Sequence, residues 1–284
     1  MLFQGEIISA RRLERLVKAS EESEVWIARN LDTGECEILK VFRRGSIEGA
    51  RTLALARLLG DSKPEGILAF RDFGLSEAKF TFFAAECAAC GSLAEILARR
   101  GKLALGGCVR LLKNSLCALS KLHSLGVVHR DIKPANILIE QSGKALLSDF
   151  GIAKIPGFKD AKGRVFGSAP YMSPEQALDS SKVDFRSDFF SLASVACECL
   201  TGRRRYEEKS FAETLKAILS DKKPVESELE PLAGKELAEL LAQMSARSPK
   251  DRPESAGAIL EKLNSIPLPD EAICGKPFTA RRAN

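Results

Sequence analysis

From the N-terminus to about residue 85 the apolar positions fall in strand-like runs. EVWIARN and CEILKVF are separated by LDTGE, whose Asp32-Thr33-Gly34 suits a tight hairpin. A helical stretch follows, SIEGARTLALARLLG, with Leu55, Leu58 and Leu59 on one face and Gly60 as a stop. GILAFRDFG and KFTFFAAEC read as two further strands. After Glu86 the period changes. Leu112, Leu116, Leu119 and Leu122 are spaced as one helix face, as are Phe189, Leu192, Val195 and Cys199, the latter ended by Gly202. Leu237, Leu240, Leu241 and Met244 predict another helix, and Ile259, Leu260 and Leu263 a last one. Leucines at such spacing are core. The pattern predicts an α+β chain: a small sheet-rich lobe with one main helix over residues 1–85, a larger helical lobe over 86–266, and a Pro-rich tail over 267–284.

Composition narrows the class. The 284 residues are 45% hydrophobic and 29% charged, an ordinary globular balance. The net charge of +5 comes from 43 basic against 38 acidic residues. That excess is too small, and too poor in interleaved aromatics, to argue for nucleic acid. No apolar run is long enough for a membrane span, and MLFQGEIISARR lacks the order of a signal peptide. A soluble, cytoplasmic protein is expected, with secretion as an effector left open; the oligomeric state is not legible. Of eight cysteines, Cys87 and Cys90 form a CxxC, but no matching pair follows and the only histidines are His123 and His129. The expectation is small apolar residues in a reducing compartment rather than zinc ligands.

The chemistry concentrates in VVHRDIKPANILI, residues 127–139. Two apolar runs bracket His129, Arg130, Asp131, Lys133 and Asn136 and would hold the loop from both sides. A second such element follows in ALLSDFG, where Asp149 closes an apolar run. Asp131, Asn136 and Asp149 are hard oxygen donors. Two of them together with phosphate oxygens could hold Mg²⁺, which seldom takes an all-protein cage.

HRDIKPAN, then DFG beginning 13 residues after Asn136, then YMSPE, resembles the eukaryotic-type protein kinase family, in wording similar to its bacterial Ser/Thr members. The resemblance covers about residues 15 to 265. It implies the kinase fold with two lobes, and a protein Ser/Thr kinase that uses ATP and Mg²⁺ (Mn²⁺ possible) and a protein substrate carrying Ser or Thr. By that resemblance Asp131 would orient the substrate hydroxyl and accept its proton. Lys133 would neutralise the moving phosphoryl, and Asn136 and Asp149 would hold the metal. Lys40 would grip the α- and β-phosphates. The backbone of Glu86 and Ala88 would bind the adenine edge, with Ala85 as gatekeeper and Val25, Ile38 and Leu138 against the ring. Ser168 resembles the Thr that braces Asp131 and Lys133. Glu175 would pair with Arg252, and Asp188 would anchor the catalytic loop from below.

The chain also departs from the family pattern. KASEESEV puts Lys18, Ser20 and Ser23 at the three glycine positions of the ATP lid, with Glu21, Glu22 and Glu24 bringing negative charge towards a triphosphate. Ile38 stands where the family has alanine. Arg51 occupies the position of the helix Glu that partners the lysine, so that Lys40 is left to Glu48, one turn earlier, or to Asp149. The segment from Gly151 to Gly167 has no Ser, Thr or Tyr, which predicts no activating phosphorylation between Asp149 and Gly167. Asp160 is a candidate fixed charge for Arg130, though a solvated loop acid is the plainer expectation. GRRRYEEKS reads as a solvated basic loop. These departures keep open a pseudokinase that acts as a binding or scaffold protein.

Overall fold

The computed structural model describes every residue except Met1, 61–63, 89, 161, 221–225, 268, 270–272 and 274–284. The chain forms two compact units. The first comprises Met1–Pro64, Leu68–Cys87 and Asp149–Gly151, and the second Glu65–Ile67, Ala88–Ser148 and Ile152–Asn284. The architecture is α+β, a sheet unit followed by a larger helical one.

The first unit is an antiparallel sheet of β1 (Ile7–Ile8), β2 (Arg11–Ala19), β3 (Ser23–Asn30), β4 (Cys36–Phe42), β5 (Phe70–Leu75) and β6 (Thr81–Glu86), in the order β1-β2-β3-β4-β6-β5. Strand side chains alternate between faces. One face carries Trp26 opposite Leu39 and Leu39 opposite Ala84, and joins Ile8, Leu13, Ala28, Val41 and Phe82 in a core cluster. The other carries Val25 opposite Lys40 and Ile38 opposite Ala85. Beside the ladder, Arg11 Nε donates to Glu37 Oε2 at 2.7 Å and Arg11 Nη1 to Asp72 Oδ2 at 2.6 Å. These bonds tie β2 to β4 and β5 by side chains. Burial pushes the Glu37 carboxyl up, but the bonds from Arg11 and Asn30 overcome it and hold it below the usual range.

Helix α1 (Ile47–Leu59) starts at Ser46, whose hydroxyl accepts the Gly49 N–H, and ends at Gly60. Its buried stripe is Thr52, Leu55, Ala56 and Leu59, while Leu58 is 41% exposed. The expected three-leucine face is therefore two leucines wide. Leu58 precedes Leu59 by one position, about 100° round the helix, and falls off the stripe.

In the second unit α2 (Leu93–Arg100) opens with a capping box between Ser92 and Glu95. Then come α3 (Leu105–Ser124), the hairpin β7 (Ile137–Ile139) and β8 (Ala145–Leu147), α4 (Pro174–Leu178), α5 (Arg186–Thr201), α6 (Phe211–Ser220), α7 (Glu226–Ala233), α8 (Lys235–Met244) and α9 (Ala256–Ser265). The α3 stripe of Leu112, Leu116, Leu119 and Leu122 is fully buried, and so is that of Phe189, Leu192, Val195 and Cys199 in α5. Helix α5 is apolar or buried nearly all round, which makes it the central rod of this unit. Gly202 ends it in the left-handed conformation, φ 76°, as glycine permits.

Cys36, Cys87, Cys108, Cys117, Cys197 and Cys199 are free thiols. Cys90 is disulfide-bonded, a departure from the expectation that every cysteine is reduced. Among the described residues no helix is long and apolar enough to cross a membrane. The tail expected from residue 267 lies largely outside the described residues.

Candidate functional site

The loop that carries His129, Arg130 and Asp131 is hung on one carboxylate. Asp188 sits in the first turn of α5 with no exposure to water. Its Oδ2 accepts the His129 backbone N–H and its Oδ1 that of Arg130, both at 2.9 Å, and His123 Nε2 stands 2.9 Å from Oδ2. A buried carboxylate is tolerable only with such satisfaction. The anchor holds Arg130 at φ 65°, a conformation a long side chain rarely adopts. Val127 and Val128 before the loop and Ile137 and Ile139 after it are buried, as the bracketing apolar runs predict.

Held in this way, Asp131 collects three partners. Asn136 Nδ2 donates to its Oδ2 at 2.8 Å and to its backbone oxygen at 2.9 Å. Lys133 Nζ lies 2.8 Å from Oδ2. The Ser168 N–H donates to Oδ1 at 3.1 Å, and Lys133 Nζ donates to Ser168 Oγ at 2.7 Å. Residues 131, 133, 136 and 168 therefore form one network, with Asp131 at its centre. Beside it opens a cavity of about 460 Å³ whose lining includes Leu97, Lys133, Ser168, Pro170, Tyr171 and Glu198. Burial, and then the bond to Glu198, raises the Tyr171 phenol well above its usual range, so it stays a neutral donor to Glu198 at 2.6 Å.

Ser168 is placed from behind by Gly167. This glycine has φ 117°, and a Cβ there would stand 2.7 Å from Gln176 Nε2 and 3.0 Å from the Arg130 carbonyl. Gln176 Nε2 donates to the Arg130 oxygen at 2.6 Å and to the Phe166 oxygen at 2.7 Å. It thus staples the segment before Ser168 to the loop that carries Asp131. Reading the sequence missed Gln176; the available signal was an amide directly after SPE on a five-residue helix. The Glu175–Arg252 pair forms as a fork, Nη1 to Oε1 at 2.6 Å and Nη2 to Oε2 at 2.8 Å. Burial pushes Glu175 up, but Arg252 and Ser187 outweigh it and hold the carboxyl below its usual range.

In the first unit, Lys40 Nζ donates to Asp149 Oδ1 at 2.6 Å and stands 5.0 Å from the Phe42 ring centroid. This is the Asp149 alternative for Lys40. Glu48 comes up against Gly151 instead, where a Cβ would stand 3.1 Å from its Oε2. Asp149 has φ 63°, a second strained position in the motif. Val25, Ile38, Lys40 and Ala85 share one sheet face, so the parity of β3, β4 and β6 gathers four predicted cofactor residues. Glu86 ends β6. Ala88 is half-buried in the second unit, as is Leu138 in β7, which bridges to Ser92.

The lid departs from the charge reading in one respect. Glu24 is buried and turns to the Trp26 side of the sheet, where its Oε2 accepts the indole N–H at 3.0 Å. It therefore lies on the face opposite Lys40. Glu21 and Glu22 remain exposed in the turn, which is closed by Ser20 Oγ accepting the Ser23 N–H.

A protein-family comparison matches residues 20–263 to the protein kinase domain. The chain belongs to the protein kinase domain family. This kinase domain is 32% identical over 271 residues to the serine/threonine-protein kinase pkn3 of Myxococcus xanthus, covering 90% of the chain and 49% of pkn3. To the serine/threonine-protein kinase PknA of Mycobacterium tuberculosis it is 30% identical over 276 residues, covering 92% of the chain and 62% of PknA. To PknD of the same species it is 37% identical over 170 residues, covering 58% of the chain and 25% of PknD. The kinase domain thus spans from about a quarter to about three-fifths of the length of these relatives.

Proposed function

We propose that the chain is a Mg-ATP-dependent protein serine/threonine kinase, with Asp131 as the base that receives the substrate hydroxyl proton. The observation that carries this reading is the convergence of Asn136, Lys133 and Ser168 on the Asp131 carboxylate. That network fixes both carboxylate oxygens of the group that must meet a hydroxyl, which is what positioning demands of a general base. The hydroxyl oxygen attacks the γ-phosphorus, the bond to the β-phosphate oxygen breaks, and the proton passes to Asp131. Lys133 stands beside this carboxylate and offsets negative charge on the transferring group.

The metal donors fit Mg²⁺. Asn136 spends its Nδ2 on Asp131, which leaves its amide oxygen for a cation, and Asp149 supplies a carboxylate. Both are the hard oxygen ligands Mg²⁺ selects, and Mn²⁺ accepts the same set. Bound metal supplies charge neutralisation across the phosphate oxygens. Lys40 serves the α- and β-phosphates. Val25, Ile38, Ala85 and Leu138 serve the adenine ring, with its edge on the backbone of Glu86 and Ala88. The cavity beside Lys133 and Ser168 suits a substrate segment, because it opens where the acceptor hydroxyl must arrive.

The decisive experiment measures phosphotransfer from ATP to the chain's own hydroxyl residues and to a generic acceptor such as casein, for wild type and Asp131→Asn, with thermal melting in Mg-ATP alongside. The kinase reading expects transfer by wild type and none by Asp131→Asn. It also expects a melting shift that Asp149→Ala removes. Saturation at a hundred times Kd contributes about 2.7 kcal/mol. A second reading, a pseudokinase that serves as a scaffold, is favoured by the glycine-free lid and by Arg51 at the helix Glu position. Absence of both transfer and melting shift would establish it instead.

A further inference from the structure

Two free thiols face each other at the rim of the sheet, one of them Cys87, which lies between Glu86 and Ala88 of the proposed adenine edge. Cys36 is the first residue of β4, and Cys87 directly follows β6. The ladder between these strands pairs Glu37 with Glu86, Ile38 with Ala85 and Leu39 with Ala84. Extended by one position, that register sets Cys36 opposite Cys87. Their sulfurs are 3.6 Å apart. Directly opposed residues in an antiparallel pair have Cα atoms about 4.5 to 5.5 Å apart, inside the roughly 4.4–6.8 Å window that a disulfide spans. Only a small side-chain rotation separates the two thiols from bonding distance.

We infer that Cys36 and Cys87 are a peroxide-sensitive dithiol that closes to a cross-strand disulfide at the end of the β4–β6 ladder. The order of reaction follows from exposure. Cys36 is exposed and Cys87 half-buried. Burial, and then the neighbouring Cys36 sulfur, push the Cys87 thiol up to about 12, so it resists ionising on its own. Peroxide therefore meets Cys36 first. The Cys36 thiol gains one oxygen to become a sulfenic acid, and one water leaves. The Cys87 sulfur then attacks the Cys36 sulfur, the S–O bond breaks, and a second water leaves with the Cys87 proton. In sum two thiols lose two hydrogen atoms, and hydrogen peroxide is reduced to two waters. Glu37 also pushes the Cys87 thiol up, and the Arg71 guanidinium, which donates to Glu86 Oε1 at 2.7 Å, opposes these contributions without overcoming them.

The inference does not depend on kinase activity. The test is hydrogen peroxide titration of the full chain at dilute concentration, followed by non-reducing digestion and peptide mass spectrometry. The expected product is a Cys36–Cys87 linked peptide that dithiothreitol reverses. It should be absent in Cys36→Ser and in Cys87→Ser and unchanged in Cys117→Ser. Cys87→Ser should instead trap Cys36 as a sulfenic acid that labels with dimedone. The wild-type digest decides the matter even if a serine variant folds poorly. Oxidation of Cys36 to sulfinic or sulfonic acid without the link would overturn the inference, and so would a link from Cys36 to a different cysteine.

Discussion

The guanidinium of Arg130 closes on the carboxylate of Asp160, Nη1 to Oδ2 at 2.6 Å, with both side chains almost wholly out of water. Arg130 also donates to the carbonyls of Ile152 at 2.7 Å and Ser180 at 2.9 Å. Asp160 is thus no solvated loop acid. It is the fixed anion to which the arginine beside Asp131 is tied, inside a segment with no hydroxyl residue from Gly151 to Gly167. Removing one member of a buried pair costs about 3–5 kcal/mol when nothing replaces it. The two carbonyl acceptors lower that figure, so Asp160→Asn is expected to cost about 1–3 kcal/mol. Urea unfolding would measure it. Intact-mass and peptide analysis of active protein should find no phosphate between Asp149 and Gly167; an activating one there would contradict this account.

Asp188 holds two backbone N–H groups and meets His123 from full burial. Asp188→Asn keeps one acceptor oxygen and sets an amide against an N–H donor. The expected loss is about 1–3 kcal/mol of stability. Phosphotransfer should fall further than stability explains, since the Asp131 backbone is released. Comparing kcat at a temperature where the variant is fully folded separates the two effects.

Ser168 accepts from Lys133 and donates its backbone N–H to Asp131. Ser168→Ala should lower kcat about tenfold to a hundredfold with little change in the KM for ATP, because the lost bond positions a reacting group. Ser168→Thr should restore most of the rate. Ser168→Asp, which sets a second carboxylate beside Asp131, should abolish transfer. Steady-state kinetics on the three variants would check the order.

The Glu175–Arg252 fork gives a pH dependence of known sign. The folded-state pKa of Glu175 is depressed below the ordinary 4.5 because Arg252 outweighs burial. Its contribution to stability is therefore present above pH 4.5 and lost as pH falls through the folded value. Glu175→Gln should be less stable than wild type at neutral pH, and the gap should narrow below pH 4.5. Thermal melting from pH 7 down to pH 3 would follow it.

The acids of the lid divide by sheet face. Glu21→Gln with Glu22→Gln should tighten ATP binding by less than about fivefold per charge, and the gain should fade with salt. Glu24→Ala should leave ATP affinity alone and cost about 1–3 kcal/mol, because it strips the acceptor from the buried Trp26 N–H. Calorimetric titration and urea unfolding distinguish the two outcomes.

Much of the fold was legible because its carriers are local. The 3.6-residue stripes of α3 and α5 and the alternation of β3 and β4 state which side must be buried, and burial follows. Where the stripe was read one residue too wide, at Leu58, a single 100° step moved the side chain to water. The candidate site was legible in its motif, since Asp131, Lys133 and Asn136 lie within six residues of one another.

The partners were legible only in part: the resemblance implied Glu175 with Arg252 and Asp188 beneath the loop, and both contacts form. Asp160 was nameable as a candidate partner for Arg130, but its burial against an arginine thirty residues away was not, and a solvated acid was the plainer expectation. The choice of Asp149 over Glu48 for Lys40 was left open, and Glu24 turning to Trp26, Gln176 stapling Phe166 to Arg130 and Cys36 meeting Cys87 were hidden. The chain alone determined which residues are apolar at which period and which short run carries the oxygen donors, because both are set by neighbours in sequence. Only the tertiary structure decided which charge neutralises which, because an ion pair or hydrogen bond depends on distance and direction in space.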